Sequence, residues 1–511
     1  MARLGRDLPG FLRRPLSPDA ARQRLVQHLA TREERFFRQL DAAIFGVSRS
    51  PYRQLLQMAG SERGDIVRLV AHEGLDGALR QLAAAGVYVT FDEFKGRRSA
   101  VRGSTRFTFT EQDFDNPRAP GHFIELTGGT RGRPSRVGRA LGAVTDTAVS
   151  FAMVQRAHGI RQPRNLFWLG GSPSWLLTHF LLGEPVDAWY YPIHPLPLMV
   201  RGGLGYLSAL CRAAGHRMPP LEHCDLPAPE PIVRWLATRA EPERPVLVNT
   251  VASSAVRIAS AATNLGVSLA GVTFNSRSEM LSAARRRVIE ASGARALANY
   301  ATVEVSSIAY GCPQGVEADD VHLCLERYAL VTRERPVVAG GPLVDALLFT
   351  TLSESAPKIA LNLETGDSAR IEQRDCGCLL GSLGLTTHLS EIRSFEKLSS
   401  EGTTFARSNM VQILEDVLPA RFGGTALDYQ LVESEGADGA SRLVLHVDPS
   451  VGELDAGAVR AALLAEMARG GMVDAYQASL IARAATIVVE RVSPLATGAG
   501  KVLPYHLARG E

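Results

Sequence analysis

The chain of 511 residues is too long for one ordinary hydrophobic core, so we expect two or more domains. Its hydrophobic fraction of 45% and charged fraction of 21% are typical of a globular protein and exclude a wholly disordered one. The formal net charge of +3 is small for this length and indicates neither a nucleic-acid partner nor an anionic membrane surface.

The cysteines and the apolar segments indicate the compartment. Six cysteines are few and irregularly spaced for this length, which argues against a secreted disulfide framework. Residues 1–18 contain arginines but no continuous apolar segment, so they do not resemble a signal peptide. The most apolar stretches, such as 175–182, are far shorter than the roughly 20 residues that cross a membrane. We therefore expect a cytoplasmic protein.

The first hundred residues are mainly helical in pattern. Residues 17–19, a serine, a proline and an aspartate, are typical of a helix start, and residues 20–45 continue with helical periodicity. Residues 75–85 form another amphipathic pattern before the strand-like segment 87–90. The alternating segment 106–110 predicts a further strand.

Strand-like and helix-like segments alternate in the middle of the chain. Their order is helix 142–158, strand 165–169, strand 246–250, helix 255–265, strand 269–274 and helix 279–291. Alternation of strands with helices of this length predicts a mostly parallel sheet that is covered on both faces.

From about residue 337 the predicted secondary structure changes. Short strand-like segments are predicted there, at 346–351, 358–361 and 369–372. Further on, two segments flank a glycine-rich turn and predict a pair of strands, 428–432 and 442–447, and a helix is predicted at 456–468.

These segments predict the fold class and the domains. We expect an α/β protein with a large N-terminal domain of layered β-sheets and helices, residues 1–393. A small, mobile α+β domain is expected at residues 394–511.

A glycine-rich stretch follows the apolar run 122–126. It consists of Thr127, Gly128, Gly129, Thr130, Arg131, Gly132 and Arg133. Glycine lets the backbone turn tightly and bring N–H groups to a ligand, and threonine hydroxyls add donors, which suits an anion such as phosphate. Taken alone, the composition favours a simple glycine-rich turn.

Further short motifs follow in order along the chain. They contribute Tyr300, Ala301, Thr302, Glu304, Asp367, Arg393 and Lys501. A Thr-Gly-Asp tripeptide alone is a common turn. Only four of the 511 residues are lysine, however. The chance that a lysine stands at any one given position, such as 501, is therefore about 1%.

Together these motifs resemble those of the adenylate-forming enzymes, most closely the phenylacetate–coenzyme A ligase branch, over roughly residues 121–501. The resemblance implies that the glycine-rich stretch holds the ATP phosphates and that Tyr300, followed by Ala301 and Thr302, lies near adenine. It implies that Glu304 binds Mg²⁺ and that Asp367 accepts hydrogen bonds from the ribose hydroxyls.

The resemblance also assigns roles to residues near the second domain. Arg393 would bind ribose or phosphate, and Lys501 would reach the substrate carboxylate and the α-phosphate. A hinge is expected near Phe395 and Glu396.

The motifs depart from the family pattern at several positions. Arg131 stands where the family has a threonine, Ala301 replaces a glycine, Val303 replaces a threonine and Glu401 replaces an arginine. Arg133 can supply positive charge to the triphosphate. Phe395 stands where the family has an acidic hinge residue. Because of Arg131, Val303, Phe395 and Glu401, the alternative is a degenerate member that binds a nucleotide or a partner without turnover.

The implied reaction is ATP-dependent activation of a carboxylic acid, aromatic or aryl-alkyl by analogy, to an acyl-adenylate, with transfer to coenzyme A. An amine, a carrier protein or another nucleophile is the alternative acceptor. The sequence leaves open whether two chains form a homodimer.

A separate group of residues suggests a metal. Cys376 and Cys378 can place two thiolates on one turn, and Cys312 with His322 (or Cys324) would complete a tetrahedral zinc site. Some relatives of the phenylacetate branch look similar, with a structural zinc in this region. The spacing is not a strong paired pattern, so reduced, unpaired cysteines are the favoured alternative.

Overall fold

The computed structural model describes most of the chain. The described residues are 2–126, 136–168, 173–192, 198–225, 228–240, 244–277, 281–302, 304–336, 343–394, 399–400, 403–404, 410–435, 441–470, 478, 482, 487–496, 502 and 504–507.

The helices of the described residues are as follows. They are α1 (Ala2–Leu12), α2 (Pro18–Ala30), α3 (Arg32–Gln39), α4 (Pro51–Met58), α5 (Arg63–Ala84), α6 (Phe91–Phe94), α7 (Leu141–Ala157), α8 (Pro173–Leu181), α9 (Leu198–Ala213), α10 (Glu230–Ala237), α11 (Ala252–Asn264), α12 (Ala283–Ala291), α13 (Leu379–Ser382), α14 (Met410–Gln412), α15 (Leu418–Phe422) and α16 (Ala456–Met467). Short 3₁₀ or π turns lie at Leu40–Phe45, Glu111–Phe114, Ile413–Val417, Pro449–Val451 and Ala468–Gly470.

The strands are as follows. They are β1 (Ala100–Arg102), β2 (Thr105–Phe107), β3 (Phe123–Leu126), β4 (Arg136–Arg139), β5 (Arg164–Trp168), β6 (Val186–Tyr191), β7 (Leu221–His223), β8 (Val246–Val251), β9 (Val272–Arg277), β10 (Arg295–Thr302), β11 (Ser306–Gly311), β12 (Val321–Leu323), β13 (Tyr328–Pro336), β14 (Leu343–Thr351), β15 (Leu363–Gln373), β16 (Thr387–Ser394), β17 (Ser399–Ser400), β18 (Thr403–Thr404), β19 (Tyr429–Glu435), β20 (Ser441–Val447), β21 (Ile487–Glu490) and β22 (Tyr505–Leu507).

Twelve strands form one central sheet in the order β13-β14-β15-β16-β12-β11-β10-β9-β8-β5-β6-β7. From β7 to β10 the neighbouring strands are parallel, and from β10 to β13 they are antiparallel. The strand β8 is buried along its whole length, as expected for an apolar strand covered on both faces. The α/β class is therefore confirmed, and the sheet is parallel in one half only.

Local sequence signals explain several element boundaries. The helix α2 begins where expected, because the Ser17 side chain accepts a hydrogen bond from the Ala20 N–H at 3.2 Å. Helix 142–158 is confirmed as α7. The strand pair predicted after residue 428 is confirmed, with Tyr429 opposite Val447.

Two predicted strands are wrong. Residues 358–361 form a single bridge from Lys358 to Asp115, and residues 87–90 form a single bridge from Val89 to Leu363. Both segments have strand propensity, but their side chains are buried in packing between elements and their backbone does not extend a ladder. Tertiary packing overrides propensity at both places.

The described residues form three hydrophobic cores. The largest lies around the parallel half of the sheet, a second joins the N-terminal helices to β13 and β14, and a third lies between α16 and the sheet β21-β20-β19-β22. Among these residues, no helix combines the length and the apolar character that a membrane crossing requires.

Candidate functional site

The residues predicted to form a phosphate loop, Thr127 to Arg133, lie outside the described residues. The same holds for Lys501, for Phe395 and Glu396 at the predicted hinge, and for Glu401. The strands on either side of the loop are described. β3 and β4 pair antiparallel, with Leu126 opposite Arg136, so the loop joins two adjacent strands.

Tyr300 and Asp367 meet although 67 residues separate them. The Tyr300 hydroxyl donates to Asp367 Oδ2 at 2.8 Å and lies 3.4 Å from Thr365 Oγ1. Gly366, between these last two residues, has a φ of 76°, a conformation that glycine adopts without strain. The adenine-side aromatic residue and the ribose-side carboxylate that the resemblance implies therefore lie together.

Arg393 lies on the strand next to Asp367, opposite Ser368. Its guanidinium donates to Asp319 Oδ2 at 3.2 Å. The same carboxylate also accepts the backbone N–H groups of Glu391 and Ile392. Arg393 is therefore close to the expected ribose site and is held there by an ion pair.

Glu304 follows the end of β10 and forms an ion pair that the sequence did not indicate. Its Oε1 is 2.6 Å from the ammonium of Lys95, which lies 3.3 Å from Glu111. Lys95 is 7% exposed and Glu304 is 13% exposed, so little water screens the pair. Thr302, at the end of β10, accepts the Val305 N–H at 3.4 Å and fixes the turn that carries Glu304.

The residue after Lys501 locates the C-terminal segment. The Val502 N–H donates to Ser253 Oγ at 3.3 Å, and its carbonyl accepts from Arg285 at 3.2 Å. Ser253 begins α11 directly after β8, at the carboxyl edge of the parallel strands. Ligands of open α/β sheets bind in the crevice at this edge.

The four predicted zinc ligands lie together. His322 Nε2 is 3.2 Å from Cys378 Sγ and 3.6 Å from Cys376 Sγ. The ligand atoms of Cys312, His322 and Cys376 lie within 4.8 Å of one another and of a ligand atom of His388. Such spacing fits a tetrahedral site of thiolate and imidazole ligands.

Hydrogen bonds prepare this corner for a cation. A hydrogen bond from the Cys312 thiol, then one from His322, lowers the pKa of Cys378 and so favours its thiolate form. His322 Nδ1 is 2.6 Å from the carbonyl of Leu385, which directs Nε2 towards the sulfurs. Cys324 is buried elsewhere in the core and is not among these clustered ligand atoms.

His388 is a member of this corner that the sequence did not reveal. It stands opposite His322 on the neighbouring strand, and its Nδ1 is 2.7 Å from Asp320 Oδ1. Its Nε2 is buried without a hydrogen-bond partner among the described residues. Only the register of β12 and β16 brings the two histidines together, and no sequence spacing signals it.

No family model matches the sequence, and no curated protein is similar enough to count as a match. Similar solved structures include a 2-hydroxyisobutyryl-CoA ligase in complex with 2-HIB-AMP and CoA, with 15% identity and a TM-score of 0.43 over 96% of this chain and 89% of that chain. ATP-bound MatB from Rhodopseudomonas palustris has 15% identity and a TM-score of 0.44, over 74% and 66%.

A third similar structure is the O-succinylbenzoate coenzyme A synthetase of Bacillus subtilis in complex with ATP and a magnesium ion. It has 12% identity and a TM-score of 0.41, over 75% of this chain and 68% of that chain. Values this low do not transfer the activities of these proteins to the present chain.

Proposed function

We propose that this protein is an adenylate-forming enzyme that activates a carboxylic acid with ATP and transfers the acyl group to coenzyme A. The acid is proposed to be aromatic or aryl-alkyl, as in the phenylacetate–coenzyme A ligase branch. The observation that supports this most is the hydrogen bond between Tyr300 and Asp367. Two motifs far apart in sequence supply the two groups that would hold adenosine, and they meet.

In the first half-reaction the carboxylate of the acid attacks the α-phosphate of ATP and pyrophosphate leaves. Asp367, a carboxylate with two acceptor oxygens, would hold the ribose hydroxyls, and Arg393 would lie beside them. The loop of residues 127–133 would hold the departing phosphates. The ammonium of Lys501 would stabilise the charge that develops at the α-phosphate.

Glu304 is the proposed ligand of Mg²⁺. Its described contact with Lys95 uses Oε1, so Oε2 fits the oxygen ligand that Mg²⁺ prefers. Bound there, Mg²⁺ would neutralise phosphate charge. Lys95 adds a second positive charge at the same place and helps to position Glu304.

The second half-reaction requires Lys501 to withdraw so that a thiol can enter. A rotation of residues 394–511 about a hinge near Phe395 and Glu396 would achieve this. The contacts of Val502 with Ser253 and Arg285 would then be the contacts that break.

We propose a structural zinc ion on Cys312, His322, Cys376 and Cys378. The closeness of Cys376 and Cys378 to His322 Nε2 and the orientation of the His322 ring support it. With four protein ligands the ion would have no open position and would fix the hairpin between β15 and β16.

A degenerate, non-catalytic member is the second candidate. It is favoured by the ion pairs that already occupy two of the proposed ligands of the nucleotide, Glu304 with Lys95 and Arg393 with Asp319. An amine or a carrier protein is the alternative acceptor to coenzyme A. A homodimer is the alternative to a single chain.

Acid-dependent ATP–pyrophosphate exchange over a panel of aromatic and aliphatic acids tests the proposal. We expect exchange with at least one acid, and a loss of about 10²- to 10³-fold in Lys501→Ala with ATP binding retained. Arg460→Ala, which removes an exposed cation from α16, is the control and should leave exchange unchanged. Unchanged exchange in Lys501→Ala would refute its role, and ATP binding without exchange for any acid would favour the non-catalytic candidate.

A further inference from the structure

Arg277 is the last residue of β9 and lies at the carboxyl edge of the parallel strands. Its guanidinium carbon is 4.6 Å from the centroid of the Trp175 ring, near the start of α8. Its Nε is buried without a hydrogen-bond partner, and no other described residue accepts a hydrogen bond from this guanidinium. Stacking on Trp175 therefore positions the guanidinium, and no hydrogen-bond acceptor among the described residues contributes.

The guanidinium keeps its charge in this position. Burial lowers the pKa of Arg277 to about 10, which still leaves it protonated near neutral pH. The side chain as a whole is half-buried, and its buried Nε has no acceptor, which costs free energy unless a ligand pairs with it. An arginine that is both charged and unpaired indicates an anion that arrives from outside.

Glu125 is the described carboxylate whose charge acts on Arg277, but it has other partners. It accepts from Arg139 Nε at 2.8 Å and from the Ser174 N–H at 3.2 Å. Burial opposes the ionisation of Glu125, but Arg139 outweighs it and holds the pKa of Glu125 below its ordinary value. Glu125 is thus engaged by Arg139 and makes no hydrogen bond to Arg277.

The alternation of side chains places Arg277 relative to the nucleotide residues. Asn299 stands opposite Arg277 on the neighbouring strand and donates to Asn275 of β9 at 3.4 Å. These three side chains therefore lie on the face that α8 covers. Tyr300, the next residue along β10, points to the other face and binds Asp367.

Arg277 is consequently one strand away from the proposed adenosine site and on the opposite face. The reacting carboxylate of an acid must reach the α-phosphate, so the far part of the same acid would extend along the edge of the sheet. A guanidinium whose plane is held by an aromatic ring presents its N–H edge to a carboxylate in bidentate geometry.

We propose that Arg277 binds a second carboxylate on the acid that the enzyme activates, so that the substrates are dicarboxylic acids. The inference rests on the proposed function and deepens it. Trp175 positions the guanidinium, and the Phe151 ring, 4.9 Å away and nearly perpendicular, holds Trp175.

The test compares each diacid with its own monoester in acid-dependent ATP–pyrophosphate exchange. The probes are phthalate, isophthalate, terephthalate and 4-(carboxymethyl)benzoate, each beside its monomethyl ester. For the wild type we expect a lower KM for at least one diacid than for its ester. In Arg277→Gln the KM of that diacid should rise about 10- to 100-fold, because a charge-assisted hydrogen bond is lost, while the KM of the ester stays unchanged.

Arg239→Gln is the matched control. Arg239 also stacks on a tryptophan, at 5.1 Å from the ring centroid of Trp235, but it is exposed at the end of α10. It should leave the KM of both probes unchanged. A diacid-to-ester KM ratio that is the same in wild type and Arg277→Gln overturns the inference and leaves the proposed function standing. Exchange with no acid overturns the proposed function itself.

Arg277→Met separates a recognition role from a structural one. If Arg277 serves a ligand, Met removes a half-buried charge that has no hydrogen-bond acceptor, and the melting temperature should stay level or rise. A fall of more than about 5 °C would show that Arg277 balances Glu125 in the folded protein and would overturn the inference.

Discussion

Charged side chains have different partners in the two halves of the central sheet. In the antiparallel half, buried charges meet charged partners from other segments: Glu364 of β15 pairs with Arg333 and Arg335 of β13, and Asp320 accepts from Arg374. In the parallel half, the buried polar groups within the sheet are largely neutral, and an unpaired charge, that of Arg277, stands at the carboxyl edge.

The reach of arginine side chains explains the pairing in the antiparallel half. The arginines of β13 reach over β14 to Glu364, and Arg374, which follows β15, reaches Asp320 beside β12. Within the parallel half, the amides of Asn249, Asn275 and Asn299 bind one another in a row. Arg277 lies at the carboxyl edge, where ligands of open α/β sheets bind, and this position agrees with the role that we propose for it.

The largest expected effect is at the cysteine–histidine corner of the antiparallel half. Purified wild-type protein should contain about one zinc per chain, and Cys378→Ser should reduce it to less than about a tenth, since the thiolate ligand is lost. Elemental analysis by mass spectrometry measures both.

Cys324→Ala is the control for this change, because Cys324 is a buried thiol outside the cluster. It should keep its zinc. Wild-type protein without zinc would instead support reduced, unpaired cysteines at this corner.

A smaller but still large effect is expected for Glu364→Gln. The side chain is fully buried, and its loss of charge removes the carboxylate that Arg333 and Arg335 share. We expect the free energy of unfolding to fall by about 3–5 kcal/mol, measured by denaturant titration. Glu372→Gln on the same strand, 45% exposed and 3.6 Å from Arg374, should cost less than about 1 kcal/mol. Equal effects of the two changes would show that pairing in this half does not depend on burial.

The smallest expected effect is at the junction of the two halves. Tyr300→Phe removes the hydrogen bond to Asp367, worth about 0.5–1.5 kcal/mol. The Kd for ATP, measured by calorimetry, should rise roughly 2- to 12-fold because Asp367 loses a partner that orients it. An unchanged Kd would show that the hydrogen bond between Tyr300 and Asp367 does not contribute to ATP binding.

The sequence predicted the parallel half well because its signals are local. The alternation of buried strands with helices needs only periodicity, and β8, α11 and β9 lie close to their predicted places. The strand predicted at 358–361 failed because its residues are buried by packing between elements and not by a ladder.

The site was predictable in part for the same reason. Tyr300 and Asp367 lie in short motifs, and the structure joins them by a hydrogen bond. Cys376 and Cys378 are two residues apart in sequence, and the structure places both beside His322. Lys95, Arg277 and His388 carry no motif. Their neighbours come from distant elements, so only the packing of those elements reveals them.

The anchoring of Val502 has a consequence for the timing of catalysis. Its side chain is 2% exposed, and Ser253 and Arg285 hold both its backbone polar groups. Freeing it would expose an apolar side chain, at a cost of about 1.5–3 kcal/mol. If much of that cost falls in the barrier to opening, it lengthens the dwell time of the segment by roughly 10- to 150-fold. The residue beside Lys501 would then set how long an acyl-adenylate stays shielded from water.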